Sequence, residues 1–457
     1  MGKILGGKAP EGLLFSRKDM IRMILPAIAE QALAMLVGMA DSLMLAGVGE
    51  RAVSAVSLVD QINILMINLF AALATGGAVI AGQCLGAKDD KRACHITDQL
   101  ALVQILLGVG ISAVLFFFRE PLLRVIFGSI EQKIMDYAVI YMGITALSLP
   151  FIALYNAAAA IYRTMGNTRT PMLISILMNG VNICGNALLI YGCGMEVEGA
   201  AIPTLVSRAV AAVVAVALLR NQGLQLHFSR RPALKPDGGA VRKILGIGIP
   251  NGVENSMFQF GKLVVASLIA TFGTASITAN AVANAVGIFQ VLPGFAICVI
   301  AVPIVSRCYG AGRPDQVKYY TKVLLAMTYL FNTLLNIGFS LLIPAILKLY
   351  ELSAETGEIA IYILLFSAVI DSVLWPPSFM LPNSFRATGD VKYPMVISVA
   401  SMWVFRVGLS WLLGKGMNMG IKAVWYGMSV DWLFRGVMYY ARYFGRNWRR
   451  RIGDVGN

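Results

Sequence analysis

LPAIAEQALAMLVGMADSLMLAGVGE, residues 25–50, and IPNGVENSMFQFGKLVVASLIATFGT, residues 249–274, are two copies of one pattern. Sliding the chain by 224 residues puts Pro26 on Pro250, Glu30 on Glu254, Ala46 on Ala270 and Gly49 on Gly273. The same ungapped offset carries Cys84, Gly86 and Ala87 onto Cys308, Gly310 and Ala311. Further on, IYRTMGNTRTPM (161–172) lies over SFRATGDVKYPM (384–395) at an offset of 223. That register pairs Arg163 with Arg386, Gly166 with Gly389, Pro171 with Pro394 and Met172 with Met395. Chance matches scatter, whereas these fall at corresponding landmarks, so the chain reads as a duplication.

Each copy belongs in a membrane. Of 457 residues 58% are hydrophobic and only 14% charged, with a mean hydropathy of +0.72. A soluble chain carries about 25% charged residues to cover its surface, so most of this exterior must face lipid. The net charge of +14 does not indicate a nucleic-acid partner, because the basic residues sit in short clusters between long apolar runs. Six scattered cysteines and two histidines, His95 and His227, offer neither zinc-ligand spacing nor a disulfide framework. Residues 1–22 are basic and glycine-rich and lead into the first apolar run without a small-residue cleavage site, so no cleavable signal peptide is expected.

A bilayer core of about 30 Å needs about 20 helical residues. Twelve stretches meet that length: 20–46, 53–83, 94–118, 136–161, 170–193, 199–220, 242–272, 276–306, 320–349, 358–383, 393–414 and 420–444. Loop charge tests the number. With twelve spans one side gathers Lys3, Lys8, Arg17, Lys18 and Arg22, then Lys88, Lys91 and Arg92, then Arg163 and Arg169. The central loop (Arg220, Arg230, Arg231, Lys235, Arg242, Lys243), the group Arg307 to Lys322, Arg386 with Lys392, and a C-terminal cluster from Arg435 to Arg451 fall on the same side. The other side holds only Arg51, Arg119, Arg124, Lys133, Lys348, Lys415 and Lys422, with loop acids such as Glu196, Glu198, Glu351, Glu355 and Glu358. Both termini are therefore expected in the cytoplasm and the chain in the plasma (inner) membrane.

The expected fold is all-α and integral to the membrane: twelve transmembrane helices in two pseudo-symmetric six-helix bundles. Residues 1–220 form an N-lobe, 221–239 a cytoplasmic linker and 240–457 a C-lobe. An even number of helices per half makes the repeats parallel, related by an axis along the membrane normal. Duplicated halves suit alternating access to a central cleft. No G-x-x-x-x-G-K-[ST] loop is present, so an ion gradient is the expected driver.

Ionisable groups at membrane depth are costly and mark function. They are Glu30 and Asp41 in the first span, Asp60 in the second, Arg208 in the sixth, Glu254 and Lys262 in the seventh, Asp371 in the tenth and Arg406 in the eleventh. A buried carboxylate can take up a proton or, with carbonyls and amides around it, hold a small hard cation. Asp41 is the leading candidate. Glu30 and Glu254 are repeat mates, each four residues after a proline, and read either as coupling groups or as polar glue between helices. Lys262 stands where the first half has Gly38; it should seek Glu254 or Asp371, or snorkel. Asp60 and Arg406 read as interfacial.

Taken together, these landmarks resemble the multidrug and toxic compound extrusion (MATE) family over nearly the whole chain. The residues that carry the resemblance are Pro26, the run Ala40-Asp41-Ser42-Leu43-Met44, Gly49 and the stretch at Ala52 and Ala55. Gly82-Gln83-Cys84-Leu85-Gly86-Ala87, then Arg163, Gly166, Asn167, Arg169, Pro171 and Met172 with the second copy from Arg386, and Gly199-Ala200-Ala201-Ile202 complete them. The resemblance implies export of small organic, often cationic, amphipathic compounds in exchange for H+ or Na+, with no other cofactor, and Asp41 as the coupling aspartate. It also implies acids on helices 7 and 10 for a sodium site, here represented by Glu254 and Asp371 about one turn from the family positions. Helix 5 departs from the family: Asn182 and Asn186 stand where some members have Asn-x-x-x-Asp, and an amide does not titrate. The expected partners are small-molecule substrates and the lipid bilayer around a monomer. A neighbouring alternative is a lipid-linked saccharide flippase of the same superfamily, which Lys262, Arg208 and Arg406 support. A membrane enzyme would need a convergent acid, histidine or metal constellation, which the sequence does not offer.

Overall fold

The computed structural model describes residues 10–128, 130–229, 235–348, 350 and 352–453. Lys3, Lys8, Arg230, Arg231 and Glu351, used above for loop charge, lie outside the described residues. Among those described there are helices and no strands.

The first half opens with α1 (Arg17–Ala46), α2 (Glu50–Gly86) and α3 (Asp90–Phe117), followed by the short α4 (Arg119–Phe127). Span four is a bent pair, α5 (Gln132–Ala146) and α6 (Leu149–Thr164), with 46° between them. Span five is α7 (Arg169–Asn186), continued by a π-helical stretch at Ala187–Gly192, and span six is α8 (Glu198–Leu219). The second half repeats the plan. It has α9 (Gly238–Ala270), α10 (Thr274–Gln290) with α11 (Leu292–Gly310), α12 (Pro314–Lys348), and α13 (Ala354–Val373) with α14 (Trp375–Ala387). Then come α15 (Lys392–Ser401) with π-helical stretches at Met402–Leu409 and Leu412–Gly416, α16 (Ile421–Phe444) and the short α17 (Arg446–Arg451).

The packing is duplicated as well as the order. In the first half α2 packs on α3, α5 and α6, and α8 on α6 and α7. In the second half α11 packs on α12 and α14, and α10 on α13, while α16 lies on α14 and on the π-helical stretch after α15. These are the same neighbours moved by one repeat, which makes two pseudo-symmetric six-helix bundles.

Three expected spans, 136–161, 276–306 and 358–383, are not single helices. Each breaks two residues before a proline: at Ser148 before Pro150, at Val291 before Pro293 and at Leu374 before Pro376. Proline lacks the N–H that would bond back one turn and disfavours helix at the residue before it, yet fits the first turn of a new helix. Hydropathy does not register this. Pro26 and Pro250, in contrast, lie inside unbroken α1 and α9.

Nine described helices are long and apolar enough to cross a bilayer, and the α5–α6 pair makes ten. The remaining two of the twelve spans are α9 and α16. Polar residues interrupt both: Asn251, Glu254, Asn255, Gln259 and Lys262 in α9, Asp431 and Arg435 in α16. Of their charged groups, Glu254, Asp431 and Arg435 are buried, whereas Lys262 is exposed.

By packing, the chain divides into one unit from Lys18 to Gly252 and a second from Val253 onward that also takes in the described N-terminal residues up to Arg17. The division falls inside α9 because its first turns lie against α2: a Cβ at Gly76 would stand 2.5 Å from the Ile244 carbonyl and 2.9 Å from the Gly248 nitrogen. The N-terminal segment joins the second unit through backbone bonds. Phe15 N donates to Tyr320 Oη at 2.9 Å, Tyr320 donates back to the Phe15 carbonyl at 2.7 Å, and Leu14 N donates to Gln316 Oε1 at 3.1 Å.

The repeated Arg-x-x-Gly loop has a backbone cause. Gly166 closes α6 and Gly389 closes α14, with φ of 84° and 77°, a left-handed conformation that costs about 1–2 kcal/mol for a residue with a side chain. In each half the glycine N–H bonds to the arginine carbonyl (2.9 Å both times). The next N–H reaches the residue before that arginine, Asn167 to Tyr162 at 3.0 Å and Asp390 to Phe385 at 2.8 Å. This doubly bonded helix end fixes the direction of the arginine that precedes it.

Candidate functional site

The polar groups buried in the first unit converge from α1, α2, α5, α7 and α8. Asp41, on α1, accepts from Asn186 Nδ2 at 2.7 Å. One turn earlier on α7, Asn182 Nδ2 donates to Thr204 Oγ1 of α8 at 3.2 Å. Both asparagines are buried, 5% and 1% exposed. An ionised carboxylate only accepts, so Asn186 must present its NH2 to Asp41. Its carbonyl oxygen then points elsewhere, and the carbonyl oxygens of Asn182 and Asn186 are both buried without a hydrogen-bond partner. The two orphan acceptors thus lie one turn apart on α7, and the residue that carries one of them is bonded to Asp41.

Asp60 lies in the same cluster rather than at an interface. It accepts from Tyr141 Oη and Asn63 Nδ2, both at 3.3 Å. Arg208 donates to Ser148 Oγ at 2.7 Å, at the break between α5 and α6. Asp41 and Asp60 both lie within electrostatic range of Arg208, so two acids share one guanidinium and the cluster is one negative charge in excess. The π-helical stretch begins at Ala187, the residue after Asn186. Such stretches shift the side-chain register and recur at functional sites.

Glu30 is held elsewhere: Arg163 Nη2 donates to its Oε1 at 2.6 Å, with Tyr155 Oη at 3.4 Å. In the second unit its repeat mate does the same. Arg386 Nη2 donates to Glu254 Oε2 at 2.6 Å, and Ser398 Oγ donates to Oε1 at 2.7 Å. Glu254 is therefore fully engaged, and Lys262 does not reach it.

A second set of charges lies deeper in that unit. Lys262 Nζ stands 5.5 Å from the centre of the Phe258 ring, and Arg406 and Arg435 approach the same ring at 5.3 Å and 5.9 Å. Arg406 is 8% exposed and Arg435 only 3%. This corrects two expectations: Arg406 is not interfacial, and Arg435 does not belong to the C-terminal basic cluster. Asp431, 0% exposed, accepts from Ser401 Oγ at 2.6 Å. Asp371 is 4% exposed and lies within electrostatic range of Arg406. Sequence reasoning passed over Asp431, Arg435, Tyr141 and Thr204. The available signal was Asp431 and Arg435 spaced i, i+4 inside an otherwise apolar helix.

A twelve-span, duplicated scaffold with a carboxylate–amide cluster in one unit and a charged aromatic cluster in the other defines a polytopic membrane transporter. The chain matches the MatE family over residues 26–188 and again over 250–412, the two matches opening on Pro26 and Pro250. It belongs to that family, a family of multidrug efflux transporters. Among curated relatives it is 28% identical to the "Uncharacterized transporter YisQ" of Bacillus subtilis (strain 168), covering 93% of each chain. It is 26% identical to the "Probable multidrug resistance protein NorM" of Thermotoga maritima, covering 95% of this chain and 94% of the other. Among solved structures it superposes on an outward-facing multidrug resistance MATE family transporter of the MOP superfamily with a TM-score of 0.89. That match is at 20% identity and covers 98% of this chain and 99% of the other. A MATE protein in the bent conformation gives 0.87 at 20% identity, over 96% and 95%.

Proposed function

We propose that the protein is a secondary active antiporter that exports small organic, cationic amphipathic compounds in exchange for H+ or Na+ by alternating access. The observation that carries the reading is the Asp41–Asn186 hydrogen bond, with unpartnered buried carbonyl oxygens on Asn186 and, one turn earlier on the same helix, on Asn182. A hard cation takes oxygen ligands, and these three residues with Thr204 offer them from α1, α7 and α8. A proton on Asp41 would serve the same end by cancelling the excess negative charge. Either ion competes with an organic cation for one carboxylate, and that competition enforces exchange. Near Glu254 and Asp371, by contrast, the acids are outnumbered by arginine and lysine, so the first unit is the preferred place for the coupling ion.

The multidrug names of the relatives support organic compounds as cargo. Loop charge supports both termini in the cytoplasm; the plasma (inner) membrane and a monomeric state complete the proposal. The flippase reading is favoured by Lys262, Arg208 and Arg406, since a lipid-linked saccharide presents phosphates. Proteoliposomes loaded with a fluorescent organic cation decide between the two. Efflux under an imposed proton or sodium gradient supports antiport and names the ion. Scrambling of a lipid-linked saccharide with no cation efflux under either gradient reverses the assignment.

A further inference from the structure

We infer that α17 presents a binding surface for anionic phospholipid headgroups, with Arg446, Arg449 and Arg450 as the groups that hold the phosphates. This surface is independent of the cargo and of the coupling ion. It belongs to the second half. At the position equivalent to Thr388, 223 residues earlier, Met165 Sδ accepts from the Leu226 N–H at 3.2 Å, so a linker residue takes the place that α17 takes here.

Packing fixes the helix first. Gly445 ends α16 in an extended conformation, φ −72° and ψ 150°, and α17 folds back on the end of α14. Trp448 is fully buried, donates through Nε1 to Thr388 Oγ1 at 3.1 Å, and packs on Tyr443 at 5.2 Å and on Phe385 at 5.6 Å. Arg451 donates to the Gly389 carbonyl at 2.9 Å. Asp390 pairs with Arg442 at 2.9 Å and with Arg451 at 3.6 Å. Trp448 and Arg451, three residues apart, thus form the inward face. Arg446, Arg449 and Arg450, spaced i, i+3 and i+4, share the outward face and are exposed. A helix of six residues does not persist alone in water; the buried tryptophan holds this one.

Charge and place then select the partner. The five arginines from Arg442 to Arg451 stand against two acids, Asp390 and Asp454, the latter outside the described residues, which leaves three positive charges in excess. A basic stretch that only oriented the chain in the membrane would need no fold. This one is folded, so its outward face is spared the ordering cost that a flexible tail bears on binding. The 24 residues of α16 rise about 36 Å against about 30 Å of hydrocarbon, which sets Gly445 and α17 at the level of the headgroups. Phe444, 60% exposed beside them, adds an apolar edge for acyl chains. Basic clusters directly after a span attract anionic lipid, and the planar guanidinium fork matches a phosphate. A headgroup bound here holds α17 against the loop that follows Arg386, the arginine of the Glu254 tie.

The test is a titration of the full-length purified protein, in nonionic detergent, with dioctanoylphosphatidylglycerol, read by thermal shift. Dioctanoylphosphatidylcholine is the zwitterionic comparator. Each basic side chain beside an anionic headgroup contributes about five-fold in affinity. The expected result is that the glycerol lipid binds at least about ten-fold more tightly than the choline lipid. Replacing Arg446, Arg449 and Arg450 together by Gln should weaken it by about a hundred-fold. The control replaces Lys88, Lys91 and Arg92 by Gln, which removes the same charge from exposed positions of the other unit, and should leave the affinity unchanged. Should the α17 triple variant fail to fold, Arg450→Gln, expected to cost about five-fold, carries the test alone. Equal affinity for the two lipids, an unchanged affinity in the α17 variant, or an equal loss in the control overturns the surface. Competition by inorganic phosphate at concentrations matching the lipid also overturns it, assigning the arginines to a soluble anion.

Discussion

Arg163 donates to Glu30 at 2.6 Å, and 223–224 residues later Arg386 donates to Glu254 at the same distance. Each bond joins the first helix of a half to the end of its fourth span, where the glycine-closed turn aims the arginine. The repeat visible in the sequence is therefore a repeated tie: glutamate after a helical proline, arginine before a left-handed glycine.

Breaking one partner of this tie leaves an uncompensated buried charge, which costs about 3–5 kcal/mol, whereas removing both costs far less. Arg163→Met and Glu30→Gln are each expected to lower the melting temperature measured by detergent-solubilised thermal shift. The double variant should recover much of the loss. A double variant that melts no higher than the worse single would show that the pair does not act as a unit.

Gly166→Ala and Gly389→Ala force a side chain into φ of 84° and 77°. Each should destabilise by about 1–2 kcal/mol, with wild-type affinity for substrate in the variant that still folds. Thermal shift and a binding isotherm on the same preparation check both halves of that statement.

Asn186→Ala removes the donor to Asp41 and one of the orphan oxygens. A hydrogen bond to a charged group contributes about 1.5–3 kcal/mol, so the coupling-ion concentration that half-saturates efflux should rise by about ten-fold or more. Efflux rate against ion concentration in proteoliposomes reads this directly. An unchanged half-saturation point would remove Asn186 from the ion site.

Gly185 sits against Pro203, where a Cβ would lie 2.7 Å from the proline ring. This contact brings α7 and α8 together beside the Asn182–Thr204 bond. Overpacking of a closed contact costs about 1–3 kcal/mol. Gly185→Val is therefore expected to lower both the melting temperature and efflux, and normal values for both would show that the helices separate there freely.

The twelve spans and the duplication were legible because hydropathy and repeat offset are read along the chain without knowledge of packing, and the depth of Asp41 in its span is what singles it out as a candidate. The broken spans were not, since Pro150, Pro293 and Pro376 act on backbone bonds that hydropathy does not see. The second unit's cluster was missed for a different reason. Arg435 reads as the start of the basic run Arg442–Arg451, yet seven residues of helix set it about 10 Å deeper, where it faces Phe258 and Ser398. The sequence offers Lys262 either Glu254 or Asp371 as partner, or a snorkelling position, but Glu254 is held by an arginine 132 residues away, a pairing the repeat suggests. The π-helical turns after Asn186 and around Arg406 shift side chains off a 3.6-residue register, so helical spacing alone could not assemble either site.

The central claim is that Asp41 couples ion entry to export, and the measurement that tests it most directly is ion-driven efflux of a fluorescent organic cation from proteoliposomes carrying wild type or Asp41→Asn. An amide in place of the carboxylate keeps the shape and the bond to Asn186 but neither titrates nor supplies charge to a cation. The account predicts gradient-driven efflux in wild type and its loss in Asp41→Asn at equal protein incorporation. Wild-type rates in Asp41→Asn under the same gradient would contradict it.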